Sequence, residues 1–232
     1  MIIYYQKEIG QTMNQIIDII KKEHQPNKIT YAGRLDPLAY GLVIILTDDD
    51  IQKRDEYTNK TKTYQFNMIK GIQTDTYDIL GLINNVHHDI YFDKIVKGKQ
   101  LMEYPPYSSV PIKEHKKPYW YCTKNNLPVI NRPTKEIDLI DFKILDYNMI
   151  KKNTLINLIT DRINQITIEG NTFRQTEILD KWTTSLDMNT INNINTYEIY
   201  KMEIQVSSGG YVRHFANLLG GCAYDIRRME YC

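Results

Sequence analysis

Tyr31-Ala32-Gly33-Arg34-Leu35-Asp36-Pro37-Leu38-Ala39-Tyr40-Gly41, followed by the apolar run Leu42-Val43-Ile44-Ile45-Leu46, is the stretch from which the rest of the chain can be read. Pro37 fixes its own φ and steers Asp36 away from the helical region, so the carboxylate is presented from a stiff, extended loop. Gly33 and Gly41 frame that loop and permit turns or close approaches that a Cβ would block. The apolar run reads as a buried strand that anchors the loop in a core. An Asp before a proline is also a common turn or cap residue. Taken alone, the loop leaves both roles open.

A second informative stretch is Lys62-Thr63-Tyr64-Gln65-Phe66-Asn67-Met68, then Gly71-Ile72-Gln73-Thr74-Asp75-Thr76-Tyr77-Asp78 and Gly81. Tyr64, Phe66 and Met68 alternate like one face of a strand, which by itself makes Tyr64 a core aromatic. A third is Pro105-Pro106-Tyr107-Ser108-Ser109-Val110, with Lys116, Lys117 and Tyr119 downstream and Arg132-Pro133 after it. The fourth is Val206-Ser207-Ser208-Gly209-Gly210-Tyr211-Val212-Arg213, a strand feeding a helix with Phe215, Leu218 and Leu219 on its apolar side. Ile226-Arg227-Arg228 closes the series.

Gly-Arg-Leu-Asp-Pro-Leu-Ala-x-Gly resembles the catalytic loop of pseudouridine synthases, in which this aspartate is the nucleophile. Its Leu-Asp-Pro-Leu-Ala core is similar to that of the TruB family, which modifies a uridine in the T-loop of tRNA. Gly-Arg-Leu-Asp, with Leu46-Thr47-Asp48-Asp49 after the strand, also resembles the ribosomal-RNA branch. Lys-x-Tyr followed by Gly-x-x-Thr-Asp-Thr-x-Asp-x-x-Gly resembles the second TruB motif and decides between the two. The Pro-Pro segment, the Ser-x-Gly-x-Tyr-x-Arg segment and the hydrophobic-Arg-Arg signature follow in family order. The opening is similar as well: a strand at Ile2-Ile3-Tyr4-Tyr5, then Lys7 and Gly10, then a helix capped by Thr12 with Lys21-Lys22 at its end.

The resemblance implies an α/β fold, more strictly α+β, around a mixed, mainly antiparallel sheet. It implies isomerisation of a uridine at position 55 of tRNA with no cofactor and no metal. Asp36 would be the nucleophile, Arg213 would hold it by a charge-assisted fork, and Tyr64 would stack on the target base. Lys7, Tyr31, Gly33, Arg34, Thr74, Asp75, Tyr211 and Ile226 would contact substrate. Where bacterial relatives carry a loop His, two positions before the Gly, this chain has Tyr31, which offers stacking but no cation. The alternatives are a synthase acting on ribosomal or messenger RNA, and an RNA-folding module that binds without efficient turnover.

The formal net charge of +1 is uninformative in itself, but cations cluster at positions 21–34, 53–62 and 113–124, as a phosphate-binding face requires. Three cysteines, an odd count without metal-ligand spacing, fit a reduced intracellular protein. That places it in the cytoplasm, or in the nucleus or mitochondrion of a eukaryote. The N-terminus lacks a signal-peptide pattern, and no apolar run is long enough to span a bilayer. From Lys151 to about Asn195 the resemblance stops. Alternation at 154–160 and 162–168, with a turn signal at Gly170-Asn171, predicts a hairpin, followed by a helical stretch over 178–186. The expected organisation is one monomeric catalytic domain over 1–232 with an insert at 151–195 and no C-terminal PUA domain, acting on the T-arm of tRNA.

Overall fold

The computed structural model describes residues 1–167, 173–191 and 194–232, with the backbone alone at 189–191. The chain opens with β1 (Ile2–Lys7) and α1 (Met13–His24). Thr12 and Gln15 close a capping box at the start of α1, and Lys21, Lys22 and His24 sit in its last turn, where cations suit the helix dipole. Next come β2 (Ile29–Ala32), β3 (Ala39–Thr47), a 3-10 turn at Asp48–Lys53 and α2 (Arg54–Asn59). β4 (Lys62–Lys70) leads into the small hairpin of β5 (Ile72–Thr74) and β6 (Ile83–Val86). β7 (Gly98–Glu103), the short pair β8 (Pro111–Ile112) and β9 (Lys117–Pro118), and α3 (Tyr119–Lys124) precede the long β10 (Thr134–Lys151). The chain then runs through α4 (Lys152–Asn164), α5 (Gln175–Ile191), β11 (Thr196–Val206), α6 (Val212–Leu218) and β12 (Gly221–Tyr231).

Eight strands form one sheet in the order β1-β3-β12-β4-β11-β10-β7, with β2 also on β3. Every pairing in it is antiparallel except β12 with β3. The expected fold class is therefore the observed one. Side chains alternate across the sheet, and both faces are covered. On one, α1 (Met13, Ile16, Ile20) and α6 (Phe215, Ala216) pack against Val43, Ile45, Phe66, Met68 and Ala223. On the other, α4 and α5 bring Leu155, Ile159, Ile163, Ile178, Trp182 and Leu186 against Ile69, Cys222, Tyr224 and Tyr197.

The hairpin expected over 154–168 is instead α4. Leu155, Ile159 and Ile163 recur every fourth residue and are fully buried; a strand would put the exposed Asn157 and Asp161 on that same face, whereas a helix turns them to solvent. The helical expectation over 178–186 holds within α5. Gly170-Asn171 lies outside the described residues. Among the described residues, no helix is long and apolar enough to cross a membrane.

Candidate active site

The Asp36 loop leaves the sheet where β3 changes neighbours. Ala39–Gly41 pair with Ile226–Arg228 of β12, whereas Ile44–Thr47 pair with β2. The loop bridges that change and is tied down from two sides. From below, the buried Lys7 ammonium donates to the carbonyls of Glu8 (3.1 Å), Pro37 (3.0 Å) and Ala39 (2.5 Å). Burial pulls that ammonium's pKa down to about 7, against the pull of Asp36. From the β12 side, Arg228 donates to the carbonyls of Gly33 (3.1 Å), Arg34 (2.8 Å) and Leu42 (3.3 Å) and to the Tyr64 hydroxyl (3.3 Å). Tyr231, which Arg228 also contacts, donates to the Ala32 carbonyl at 2.7 Å. Gly41 has φ +107°, and a Cβ there would stand 2.2 Å from the Arg228 carbonyl. The close crossing of β3 and β12 thus requires glycine.

Arg213 stands at the start of α6 and is only 3% exposed. Its Nε donates to Asp36 Oδ2 at 2.8 Å and lies 3.6 Å from Asp78 Oδ2. Its two terminal nitrogens donate to the Thr76 carbonyl (2.6 Å) and the Tyr107 carbonyl (3.4 Å). One guanidinium therefore joins the Asp36 loop, the Thr-Asp-Thr loop and the Pro-Tyr loop. Asp78 is itself held by the Thr76 hydroxyl (2.6 Å) and the Leu80 amide (3.0 Å). Burial pushes its carboxyl up to about 6, with Arg213 opposing.

Asp36 opens into a cleft of about 410 Å³ lined also by Tyr31, Gly33, Arg34, Tyr64, Tyr211, Arg213 and Ile226. Tyr64 is 7% exposed, its ring turned to the cleft and its hydroxyl tethered by Arg228. Tyr211 packs edge-on to Tyr104, 5.5 Å between centroids. Burial, then the nearby Asp36, raises the Tyr211 phenol to about 12, so it stays a neutral, flat surface. Of the charged residues described on the lining, six are basic (Arg34, Arg54, Lys62, Lys135, Arg213, Arg228) and Asp36 alone is acidic. Such a cleft offers an aromatic slot, one carboxylate and a strongly cationic surround.

Three residues expected to contact substrate sit elsewhere. Lys7 is wholly enclosed and braces the loop from beneath. Thr74 donates to the Asp78 carbonyl at 2.6 Å. Asp75 accepts from the Leu82 amide (2.8 Å) and from Arg174 (2.9 Å). None of the three is on the cleft lining; each spends its polar atoms on holding a loop. Sequence reasoning in turn gave Lys62 no role beyond the cationic cluster at 53–62, named Asp78 and Arg228 as motif residues without a role, and singled out no role for Lys135. Arg228 could have been found by parity: it shares the inward face of β12 with Ile226, and a buried arginine demands several acceptors.

Residues 21–159 match the family model for the TruB family pseudouridylate synthase (N terminal domain), and the chain belongs to that family. Among its relatives, the tRNA pseudouridine synthase B of Malacoplasma penetrans (strain HF-2) is 32% identical over 153 residues, 62% of this chain and 65% of that protein. The protein of the same name from Mesoplasma florum is 30% identical over 158 residues, 64% of this chain and 55% of its own. That from Mycoplasmopsis pulmonis is 26% identical over 211 residues, 85% and 74%. In the first two comparisons the match spans less than two thirds of the relative's length. Among solved structures, that of a Cbf5-Nop10-Gar1 complex aligns with 99% of this chain and 48% of its own at a TM-score of 0.53 and 14% identity, a likeness of fold.

Proposed function

We propose that the protein is an RNA pseudouridine synthase that isomerises a uridine, with the T-loop uridine of tRNA as its substrate and residues 1–232 acting as one catalytic domain. The observation that carries this reading is the 2.8 Å pair of Arg213 and Asp36 beside the ring of Tyr64 in a cationic cleft, in a chain of the TruB family. The reaction breaks the bond from C1′ to N1, turns the uracil and rejoins C1′ to C5. It needs a nucleophile or an anionic stabiliser, a flat clamp and shelter from water while the base is detached. Asp36 supplies the carboxylate and Arg213 fixes its direction. Tyr64 and Ile226 supply the faces between which the base lies. In a structured loop the base is stacked away, so it must be turned out at a cost of a few kcal/mol. Tyr31, at the mouth of the Asp36 loop, offers a ring to fill the vacated space.

The test is tritium release from C5-labelled uridine in a T-arm transcript, comparing wild type with Asp36→Asn. The amide is nearly isosteric but cannot act as the anionic nucleophile, so turnover should vanish while RNA is still bound. Substantial turnover by the variant would sink the assignment.

A further inference from the structure

Beside the cleft, one turn gathers two ammonium groups, and among the described residues neither has a carboxylate partner: Lys62 has backbone carbonyls and the ring of Tyr231, 5.3 Å from its centroid. The turn Ser207–Gly210 takes the chain from β11 into α6. Lys62, the first residue of β4, lies in register with Val206, the last of β11. Asp138 and Ser207 lock the turn to β10 by two bonds, Ser207 N to Asp138 O at 3.0 Å and Asp138 N to Ser207 Oγ at 2.8 Å. Lys135, near the start of β10, lies across Gly209: a Cβ built there would meet its Nζ at 2.4 Å, and Gly209 has φ +90°. Glycine at this position lets the ammonium settle on the turn.

Lys62 is 5% exposed and donates to the carbonyls of Thr58 (2.5 Å) and Lys60 (2.7 Å). Burial, then the nearby Arg228 and Lys135, draws its pKa down to about 8. Both lysines line the cleft, and Asp36, the one carboxylate among the described residues of that lining, is engaged by Arg213. A nucleotide whose base reaches Asp36 must leave its flanking phosphates near the mouth of the cleft. We propose that Lys135 and Lys62, gathered at the Ser207–Gly210 turn, form a subsite for a backbone phosphodiester next to the target uridine. The inference rests on the reading of the cleft as a uridine site in RNA.

The test uses a T-arm stem-loop RNA, either unmodified or with one neutral methylphosphonate linkage on either side of the target uridine. Lys135→Gln should weaken binding about tenfold and lower the slope of log K against log[KCl] by about 0.7–0.9, the value of one lost phosphate contact. The loss should fall on KM rather than kcat, and Lys135→Arg should restore most of it. Neutralising the correct linkage should cost the wild type a similar factor and Lys135→Gln far less, because the two changes remove one interaction. Unchanged affinity and slope in Lys135→Gln, or equal methylphosphonate penalties in both proteins at both linkages, would overturn the subsite. Tritium release by the wild type separates the two readings. No turnover alongside the expected binding pattern refutes the catalytic reading and leaves the phosphate subsite standing. Turnover with additive penalties refutes the subsite alone.

Discussion

Arg213 serves two carboxylates unequally, 2.8 Å from Asp36 and 3.6 Å from Asp78, and the consequences of substitution follow from that. Losing the charge of Asp36 still leaves the buried guanidinium with Asp78, so Asp36→Asn should melt close to the wild type while losing turnover. Arg213→Lys replaces a fork with a point charge that cannot also reach the carbonyls of Thr76 and Tyr107; tritium release should fall on the order of a hundredfold or more, as when a preorganised donor is lost. Asp78 supplies the pH dependence. Its carboxyl is raised from 3.8 to about 6 in the fold, so between those values the native state holds a proton that the unfolded chain has released. This group's contribution is thus fully present below about pH 4 and is lost as pH rises through 6. Asp78→Asn should flatten that part of the stability profile, read as melting temperature between pH 4 and 7; an unaltered profile would refute it. Tyr64→Phe keeps the ring but orphans the Arg228 Nε, at about 1–3 kcal/mol in stability. Tyr64→Ala should in addition lose stacking, about 1–3 kcal/mol of RNA affinity. Equal RNA affinities for the Phe and Ala variants would remove the stacking role. Asp36, Tyr64 and Arg213 were legible because each sits in a spaced motif. Arg228 was not, since its importance lies in carbonyls far away in sequence, at Gly33, Arg34 and Leu42.

At the scale of elements, β1, α1, β3, β4 and the β11–α6 junction could be read from caps and alternation, whereas the α4–α5 pair was half misread. Its Ile and Thr content favours strand, although the pairs Leu155-Ile156 and Leu158-Ile159 recur at helical spacing. What decided the outcome was tertiary: a sheet face bearing Ile69, Cys222 and Tyr224 needs a cover, and two helices supply it. The cover also reaches the motif loops. Trp182 donates to the Gly81 carbonyl at 3.1 Å, and Arg174 pairs with Asp75 at 2.9 Å. Trp182→Ala should therefore cost about 3–5 kcal/mol, measured by urea unfolding. A loss under about 1 kcal/mol would mean that α5 is a loosely attached appendage.

At the scale of the molecule, a net charge of +1 conceals a cleft with six cations and one carboxylate on its lining. Among the described residues, Arg34, Lys62 and Lys135 make no side-chain bond to Asp36 or its loop, and Arg54 gives only its Nε to the Tyr31 carbonyl, at 3.3 Å. If each meets a phosphate, RNA affinity should fall with salt at a slope of about −3 or steeper. A flat dependence would exclude a phosphate-reading cleft. We further expect an isolated T-arm stem-loop to be modified nearly as well as full-length tRNA, because the recognition described lies around the cleft itself; a strong preference for full-length tRNA would contradict this. The sheet order carries one more consequence. β12 lies between β3 and β4, yet follows both and β11 in the chain. As the polypeptide is synthesised, β1–β3 can pair on one side and β4, β11, β10 and β7 on the other, while the seam between them waits for β12 to thread in. Arg228 arrives with that strand, so the hand that steadies the Asp36 loop is the last to close, and a half-made chain carries a loop that it cannot yet hold in place.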